Sequence, residues 1–287
     1  MRRRLEGSVV FTGLVLLTAC SSATAGVEAS CAPSPYRNSP PLVIAHAGGN
    51  EMAPSNTMYA LHRGMEAGAD VLDLDLRMTA DGVVVARHDR ELSTTTNGAG
   101  PVDEATWQDV SALDATARWS GAPLTDEVTV ASVEEALLAF PDVHFSLEIK
   151  QTEPSLADEL CGILDRTGSR DRVFISSNFD EATYGFRDAC PGVTITTTFR
   201  DLHERNRAVA AGEHWCWASP IGQPPFTRDR FASAEFLADA HRHGGAVFTW
   251  TVNAADDLRM LAEAGVDGVY TDRPALAREI FDDVASG

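Results

Sequence analysis

The chain has 287 residues, a formal net charge of −19 at pH 7 and 44% hydrophobic residues. This length suits one large α/β barrel or two smaller domains. Such an acidic balance argues against a nucleic-acid partner and against broad binding to anionic membranes, so an anionic ligand would need a local concentration of positive charge.

The first 19 residues have the pattern of a signal peptide. A basic start is followed by an apolar run that is too short to cross a membrane core of about 30 Å as a helix. The run ends in Leu-Thr-Ala-Cys, which resembles a bacterial lipoprotein signal and implies a lipid on Cys20. The protein is then expected outside the cytoplasm, held at the cell membrane by that anchor only. An ordinary secretory signal cut nearby is the alternative.

Residues 20–40 are rich in Ser, Ala and Pro and are expected to form a flexible tether. The chain has five cysteines, and a lipid on Cys20 would leave four for an oxidising compartment. Four cysteines allow three pairings, and their spacing matches no zinc motif. We favour the pair Cys161 and Cys190, because these two residues fall in successive predicted helices.

Past residue 40, short β-branched runs alternate with longer helical stretches. The predicted strands are Leu42–Ala47, Val71–Arg77, His144–Lys150, Val173–Ser177, Val193–Phe199, His214–Ser219, Ala246–Val252 and Gly268–Thr271. Helical segments between them include Asn56–Ala67, Ser155–Thr167, Ala232–His243 and Ala255–Ala264. This alternation implies right-handed crossovers and a parallel sheet. Eight such strands at this length predict a closed (β/α)8 TIM barrel over residues 41–287, and no glycine-rich nucleotide-binding motif follows a strand.

One stretch interrupts the alternation. The Asp81-Gly82 turn predicts that Val83–Arg87 pairs as a hairpin with the second strand. Residues 90 to about 130 then form a small insertion without clear periodicity. Excursions of this length usually shape or cover a binding site.

Charged side chains stand inside the second predicted strand. In its run VLDLDLR, Asp73 and Asp75 lie two residues apart, so the strand period places both on one face, with the leucines on the other. Two carboxylates inside a barrel repel each other unless they are protonated, paired with a base or bound to a cation. We expect a hard cation.

The third predicted strand repeats this pattern in the run HFSLEIK, where Glu148 and Lys150 share a face. Asp73, Asp75 and Glu148 form an oxygen donor set that suits Mg²⁺ or Ca²⁺, between which the sequence does not decide. Lys150 is the only lysine among 23 Lys and Arg residues, which indicates a site that needs a compact point charge. An internal salt bridge between Glu148 and Lys150 is the alternative interpretation.

Two histidines end predicted strands beside these carboxylates. His46 precedes Gly48-Gly49, and His88 ends the hairpin strand. Two imidazoles can supply the base and the acid that a hydrolytic reaction requires near neutral pH. The other histidines are expected on solvated helices or at strand starts: His62, His203, His241 and His243 on helices, His144 and His214 at strands.

Together these motifs resemble the glycerophosphodiester phosphodiesterase family. The matching runs, in the family's order, are AHAGG (45–49), NT (56–57), GADVLDLDLRMTADGVVVARHD (68–89), TTNGAGPV (95–102), LEIK (147–150), TWTVN (249–253) and DGVYTDRP (267–274). The resemblance implies a (β/α)8 barrel with a small insertion after the HD motif. It also implies a divalent metal and a small phosphodiester substrate that is cleaved into an alcohol and glycerol 3-phosphate.

Position by position, the resemblance implies roles for seven residues: His46 and His88 as the acid/base pair, Asp73, Asp75 and Glu148 as metal ligands, Lys150 at the phosphate and Trp250 lining the substrate pocket. Four positions depart from the family pattern, namely Ala47 and Thr94 in place of arginines and Ser55 and Asp73 in place of glutamates. Strand parity makes Arg77 the best substitute for a lost arginine, ahead of Arg87, and Glu51 could replace the missing carboxylate.

Two alternatives stay open. Ala47 is compatible with a phospholipase D-like enzyme that acts on lysophospholipids or choline phospholipids and forms a cyclic phosphate. The chain could also be an inactive lipoprotein that binds phosphodiesters. The sequence does not determine the accepted alcohol or the oligomeric state.

Overall fold

The computed structural model describes residues 30–231 and 233–287. The predicted signal peptide and Cys20 lie outside the described residues, as does the first part of the predicted tether. Within the described residues, no helix is both long enough and apolar enough to cross a membrane.

The architecture is a nearly closed barrel of eight parallel strands, as the sequence predicts. Its strands are β1 (Leu42–Ala45), β2 (Val71–Met78), β4 (His144–Ile149), β5 (Val173–Ser176), β6 (Thr194–Ile195), β7 (Ile221–Gly222), β8 (Ala246–Thr249) and β9 (Gly268–Thr271), and β3 (Val84–Ala86) pairs antiparallel with β2. The hydrogen-bonded order is β6-β5-β4-β2-β1-β9-β8-β7. Between the two ends of this order, the amide of Thr197 donates to the carbonyl of Ile221 at 2.8 Å, which brings the ring together.

Helices pack around the outside of the barrel. They are α1 (Met58–Glu66), α2 (Trp107–Ser111), α3 (Val133–Ala139), α4 (Ala157–Thr167), α5 (Asp180–Ala189), α6 (Phe199–Ala211), α7 (Arg228–Phe231), α8 (Ala234–Arg242), α9 (Ala255–Ala264) and α10 (Pro274–Ser286). The side chain of the residue just before a helix fixes several of these starts: the hydroxyls of Ser132, before α3, and Thr198, before α6, each accept from an amide one turn into the helix.

The strand period separates apolar from charged side chains in β2. Leu72, Leu74 and Leu76 are fully buried against the surrounding helices, whereas Asp73 and Asp75 face the barrel interior. Burial of each leucine stabilises the fold by about 1.5–3 kcal/mol. The helix-facing leucines therefore hold β2 in the register that points its carboxylates inward.

The N-terminal segment closes the amino end of the barrel. The Tyr36 ring contacts Phe174 and Phe248 edge-on, with centroids 6.0 and 6.4 Å away, and its hydroxyl donates to Thr194 at 3.1 Å. A disulfide between Cys31 and Cys216 fastens the same segment to the loop before β7. Within the described residues, this segment thus covers the amino end of the barrel, and a ligand is expected at the carboxyl end.

The insertion has a small apolar core of its own. Its residues from 90 to 130 include α2 and two short 3-10 turns, and Leu92, Val102, Val110 and Val130 pack on Val85 of β3. Because β3 pairs with the upper part of β2, this core fixes the segment that follows β3 beside the carboxyl end of the barrel.

The expectations for residues 214–219 and for His241 are wrong. The predicted strand His214–Ser219 is a loop, and the strand is the two-residue β7 that follows it, because the Cys31–Cys216 disulfide binds the loop to the N-terminal segment instead of the sheet. His214 is accordingly an exposed loop residue. His241 is not solvated: its Nε2 lies 2.8 Å from Oδ2 of the buried Asp267. The structure pairs Cys161 with Cys190, the pair that the sequence analysis favours.

Candidate active site

The chemically active side chains gather at the carboxyl end of the barrel. His46 follows β1, Lys150 follows β4, Trp250 follows β8 and Asp272 follows β9. Because carboxyl ends of neighbouring parallel strands meet at one face, residues that are far apart in sequence become neighbours there. We call this face the mouth.

Lys150 lies between two of the predicted metal ligands. Its Nζ is 2.7 Å from Oε1 of Glu148 and 3.1 Å from Oδ1 of Asp75. Asp75 and Glu148 face each other in the register of β2 and β4, which is why one ammonium reaches both. Burial lowers the pKa of Lys150, but the two carboxylates outweigh it and raise the pKa, so the side chain stays an ammonium.

Two asparagines complete the surroundings of these carboxylates. Asn56 donates from Nδ2 to Oδ2 of Asp75 at 2.8 Å and accepts from the Asp75 amide at 2.9 Å. Its backbone has φ 59°, a left-handed conformation that asparagine tolerates better than most residues. Asn178, after β5, donates to Oε1 of Glu148 at 3.1 Å. The carboxylates are therefore held by hydrogen bonds as well as by charge.

Asp73 lies one register step deeper than Asp75, opposite Ser146, and is 4% exposed. Its Oδ2 accepts the amide of Ala47 at 3.1 Å. Burial raises the pKa of Asp73, the charge of His46 lowers it and the charge of Asp75 raises it further, so the net shift is upward. An aspartate at this position keeps its carboxylate near the backbone of the loop after β1.

The donor set suits a hard divalent cation in kind, because it consists of carboxylate oxygens on two neighbouring strands. In spacing, Asp75 and Glu148 fit best, since both already contact the Lys150 ammonium. Across residues 30–231 and 233–287, the one group of three His, Cys, Asp or Glu side chains with ligand atoms within 4.8 Å is Cys31, His214 and Cys216. The two cysteines of that group form a disulfide and offer no thiolate. The oxygens of Asp73, Asp75 and Glu148 therefore do not all lie within that distance of one another.

His46 is held by a carboxylate from the neighbouring strand end. Its Nδ1 lies 2.7 Å from Oδ1 of Asp272, and Oδ2 of Asp272 accepts from Nδ2 of Asn253 at 2.6 Å. Burial lowers the pKa of His46, but the bond to Asp272 and the charges of Asp73, Asp272 and Asp75 raise it to about 9. With Nδ1 bound to Asp272, Nε2 is the nitrogen left for a ligand, and near neutral pH it carries a proton.

The turn after β1 depends on a glycine. Gly48 has φ +86°, and a Cβ there would lie 2.7 Å from Cβ of Ala60 in α1. Only glycine allows α1 to approach the loop this closely. The close approach also sets the Ala47 amide toward Asp73, so the AHAGG run positions both His46 and a buried carboxylate.

His88 lies at the edge of the mouth. Its side chain is 60% exposed, and its Nδ1 is 3.0 Å from Oδ1 of Asp89. Arg77 donates from Nε to the His88 carbonyl at 2.8 Å, which ties the end of β2 to the segment after β3. The structure thus brings His88 beside the mouth without a direct bond to the buried carboxylates.

The two other expected substitutes lie outside the carboxylate cluster. Arg87 is buried and donates to the insertion, including the Asp89 carbonyl at 3.0 Å and the Thr94 hydroxyl at 3.0 Å, so it organises that loop. Glu51 is exposed, and its Oε2 is 3.2 Å from Nε of Arg273. Among the described hydrogen bonds and ion pairs, neither side chain reaches Asp75, Glu148 or Lys150, although the Arg87 amide donates to the Asp75 carbonyl at 2.6 Å.

Trp250 stands on the rim, 40% exposed, and donates from Nε1 to the Gln223 carbonyl at 2.9 Å. The Gln223 side chain donates to the hydroxyl of Tyr270, which is 3.0 Å from Ser146. This chain of contacts leads from the rim to the layer of Asp73 inside the barrel. It orients the indole by its polar edge and leaves its ring at the mouth.

Several residues of the site were not singled out from the sequence, namely Asn56, Asn178, Asn253, Asp272, Gln223 and Tyr270. A signal existed for Asp272, because it directly follows the last predicted strand as His46 follows the first. Asn56 lies in the matched NT motif but carried no predicted role. Asn178 and Gln223 lie in loops with no periodic pattern, so no comparable signal pointed to them.

Comparisons with known proteins agree with this fold. The family model described as "Glycerophosphoryl diester phosphodiesterase family" matches residues 46–276. A glycerophosphodiester phosphodiesterase of Caldanaerobacter subterraneus is 28% identical over 241 residues, covering 81% of this chain and 94% of the relative. Among solved structures, the glycerophosphodiester phosphodiesterase of Agrobacterium tumefaciens has a TM-score of 0.70 at 23% identity, covering 83% of this chain and 99% of that one. A phosphodiesterase of Oleispira antarctica, in complex with the product sn-glycerol-3-phosphate, has a TM-score of 0.68 at 22% identity, covering 84% and 97%.

Proposed function

The chain belongs to the glycerophosphoryl diester phosphodiesterase family, whose members are phosphoric diester hydrolases, and we propose that it hydrolyses glycerophosphodiesters to an alcohol and glycerol 3-phosphate in a metal-dependent reaction. The observation that carries the proposal is the arrangement of Lys150 between Asp75 and Glu148 at the mouth where His46 also lies. The sn-glycerol-3-phosphate bound to the Oleispira antarctica protein is the product expected here.

Lys150 and a divalent ion together would neutralise the negative charge of the substrate's phosphate group. Asp75 and Glu148 would hold the ion, with Asp73 behind them, and Mg²⁺ and Ca²⁺ both suit these oxygen ligands. When bound, such an ion polarises the phosphoryl oxygens as a Lewis acid. The Lys150 ammonium adds a fixed positive charge within an otherwise acidic protein, and this charge steers the phosphate to the mouth.

The two histidines divide the proton transfers. His46 is protonated near neutral pH and presents Nε2, so it acts as the acid that gives its proton to the departing alkoxide. His88 is exposed to solvent at the edge of the mouth and acts as the base that takes a proton from water. The water oxygen bonds to phosphorus, the phosphorus–oxygen bond to the alcohol breaks, and the alkoxide leaves as the alcohol.

The test is a ³¹P NMR assay of purified protein with glycerophosphocholine and either Mg²⁺ or Ca²⁺. We expect glycerol 3-phosphate as the phosphorus product, loss of turnover in EDTA, and a fall in kcat of about 10²–10⁴-fold for His46→Ala and for His88→Ala. His203→Ala, an exposed histidine of α6, is the matched control and should keep wild-type activity. A cyclic phosphate product would favour the phospholipase D-like alternative, and binding without turnover would favour the inactive binding protein.

A further inference from the structure

A cluster of sulfur and imidazole side chains lies at the amino end of the barrel, away from the mouth. The Nε2 atom of His214 is 3.7 Å from Sγ of Cys216 and 4.0 Å from Sγ of Cys31. The two sulfurs are bonded to each other in the Cys31–Cys216 disulfide. Thiolate sulfur and imidazole nitrogen are the ligand types that Zn²⁺ and similar ions prefer. We call these three side chains the sulfur cluster.

The spacing of the sulfur cluster fits a metal site once the disulfide is reduced. Its ligand atoms all lie within 4.8 Å of one another. In a tetrahedral zinc site, a sulfur lies about 3.6 Å from a nitrogen ligand and about 3.8 Å from a second sulfur. The two distances from His214 are close to the first value. Two sulfurs that no longer share a bond move apart to a non-bonded separation of about 3.5–4 Å, which matches the second value.

Contacts other than the disulfide hold the loop before β7. Trp215 stacks on His243 with ring centroids 3.9 Å apart, and the amide of Trp217 donates to the His243 carbonyl at 3.0 Å. The guanidinium of Arg205 lies 4.8 Å from the centroid of Trp215. The residues on both sides of Cys216 are thus fixed to α6 and to the end of α8, so this part of the cluster keeps its place when the disulfide is reduced.

The N-terminal segment that carries Cys31 is also held without the disulfide. The Tyr36 ring packs on two phenylalanines of the barrel, as described above. Nearer to Cys31, Gly244 has φ +81°, and a Cβ there would overlap the carbonyl oxygen of Ala32. Only glycine allows the segment to lie this close to the turn after α8. Each half of the sulfur cluster therefore has its own support.

The Cys31–Cys216 disulfide is also open to a reductant. Cys216 is exposed and Cys31 is half-buried, whereas Cys190 and Cys161 of the other disulfide are 0% and 8% exposed. A dithiol that reaches the exposed sulfur gives two electrons and two protons to the bridge and becomes a disulfide itself, and the two cysteines become thiols. Exposure therefore directs reduction to the bridge that has an imidazole beside it.

We propose that the reduced sulfur cluster is a metal site, separate from the mouth, in which Cys31, Cys216 and His214 bind Zn²⁺ or another thiolate-binding divalent ion. The two thiols lose their protons on binding, the neutral imidazole coordinates through Nε2, and water fills the fourth position of a tetrahedron. The ion then joins the N-terminal segment to the loop before β7 in place of the disulfide. This inference does not depend on the proposed hydrolysis, because all three ligands lie at the opposite end of the barrel from the mouth.

The experiment titrates Co²⁺, a coloured substitute for Zn²⁺, into the full chain after reduction with dithiothreitol and removal of the dithiothreitol without air. A thiolate-to-cobalt charge-transfer band reports sulfur ligands and is not produced by carboxylates at the mouth. We expect this band to saturate at a single ion per chain, to disappear when Zn²⁺ displaces Co²⁺, and to be missing from the unreduced protein. His214→Ala should weaken the binding of Co²⁺ at least about tenfold.

Matched controls separate the two cysteine pairs. Cys161→Ser with Cys190→Ser should keep the band, because Nη2 of Arg170 lies 3.2 Å from Sγ of Cys161 and opposes a cation at that pair. Cys31→Ser with Cys216→Ser should abolish it. Alkylation of free thiols and mass spectrometry identify the reduced bridge, and circular dichroism establishes that each protein is folded. A reduced, folded protein without the band, equal affinity of the histidine variant, or a loss of fold on reduction that Zn²⁺ does not prevent would each overturn the site.

Discussion

His46 and Asp272 lie side by side because β1 and β9 are neighbours in the barrel, with Ala45 opposite Thr271 in their register. The residue after each of these partners is the histidine or the aspartate, and the 2.7 Å contact joins positions 226 residues apart in the sequence. The pairing of the first strand with the last one therefore supplies the carboxylate that raises the pKa of His46.

This relationship predicts the pH dependence of activity. Because His46 acts as an acid, kcat/KM should fall as pH rises through the pKa of His46, which is about 9. A bound cation would offset part of the charge of Asp73 and Asp75 and would lower this pKa. Asp272→Asn removes a charge that raises this pKa, so the alkaline limb should move to lower pH. A pH–rate profile measures the shift, and an unchanged limb in Asp272→Asn would contradict the assigned acid.

Asp73 predicts an effect of side-chain length on metal binding. Asp73 stands one register step below Asp75, with its carboxylate on the Ala47 amide. Asp73→Glu adds one methylene and should carry the carboxylate toward Asp75 and Glu148, tightening Mg²⁺ or Ca²⁺ binding about tenfold in calorimetric titration. Asp73→Asn is the control and should weaken binding. Equal affinity of all three proteins would exclude Asp73 from the metal site.

The contacts of Lys150 predict that its replacement has opposite effects on metal affinity and on kcat/KM. Lys150→Met removes the ammonium that lies on Asp75 and Glu148, so the carboxylates become free for a cation and metal affinity should increase. The fixed charge for the phosphate is lost at the same time, and kcat/KM should fall about 100-fold. Lys150→Arg keeps the charge but replaces a compact ammonium by a planar group, and should recover activity only in part. Full activity in Lys150→Met would rule out its role at the phosphate.

The two disulfides predict separate losses of stability. Cys31–Cys216 closes a loop with a sequence separation of 185 and Cys161–Cys190 one of 29. In the chain-entropy account, loss of the longer loop costs about 5 kcal/mol in the free energy of unfolding and loss of the shorter about 3–4 kcal/mol. Chemical denaturation of the double variants Cys31→Ser with Cys216→Ser and Cys161→Ser with Cys190→Ser measures both. A larger loss for the shorter loop would contradict this account.

The barrel and the inward carboxylates could be predicted because both follow from short-range patterns. Alternation in β2 places Asp73 and Asp75 on one face whatever the strand pairs with, and the apolar β-branched runs mark most strands. The strand β7 could not be located, because two residues, Ile221 and Gly222, carry no period. Their pairing with β8 comes from barrel closure and not from local preference.

Hydrogen-bond and ion-pair partners at the mouth also could not be predicted from sequence patterns. Asp272 is the clearest case, since its role depends on which strand lies beside β1. The pairing of Arg87 with the insertion and of Glu51 with Arg273 also depends on loop conformation. Chemistry that resides at strand ends could be read from spacing, whereas hydrogen bonds between loops required the structure.

The seal formed by Tyr36 and the Cys31–Cys216 disulfide has a practical consequence. Any fused protein or solid support joined ahead of Cys31 would meet the molecule on the side of the amino ends of the strands. The opening beside Lys150 would then point away from the attachment, free to exchange small molecules with bulk solution. Immobilisation through this end should leave the diffusion of substrate unhindered, whereas coupling through α6 would obstruct it.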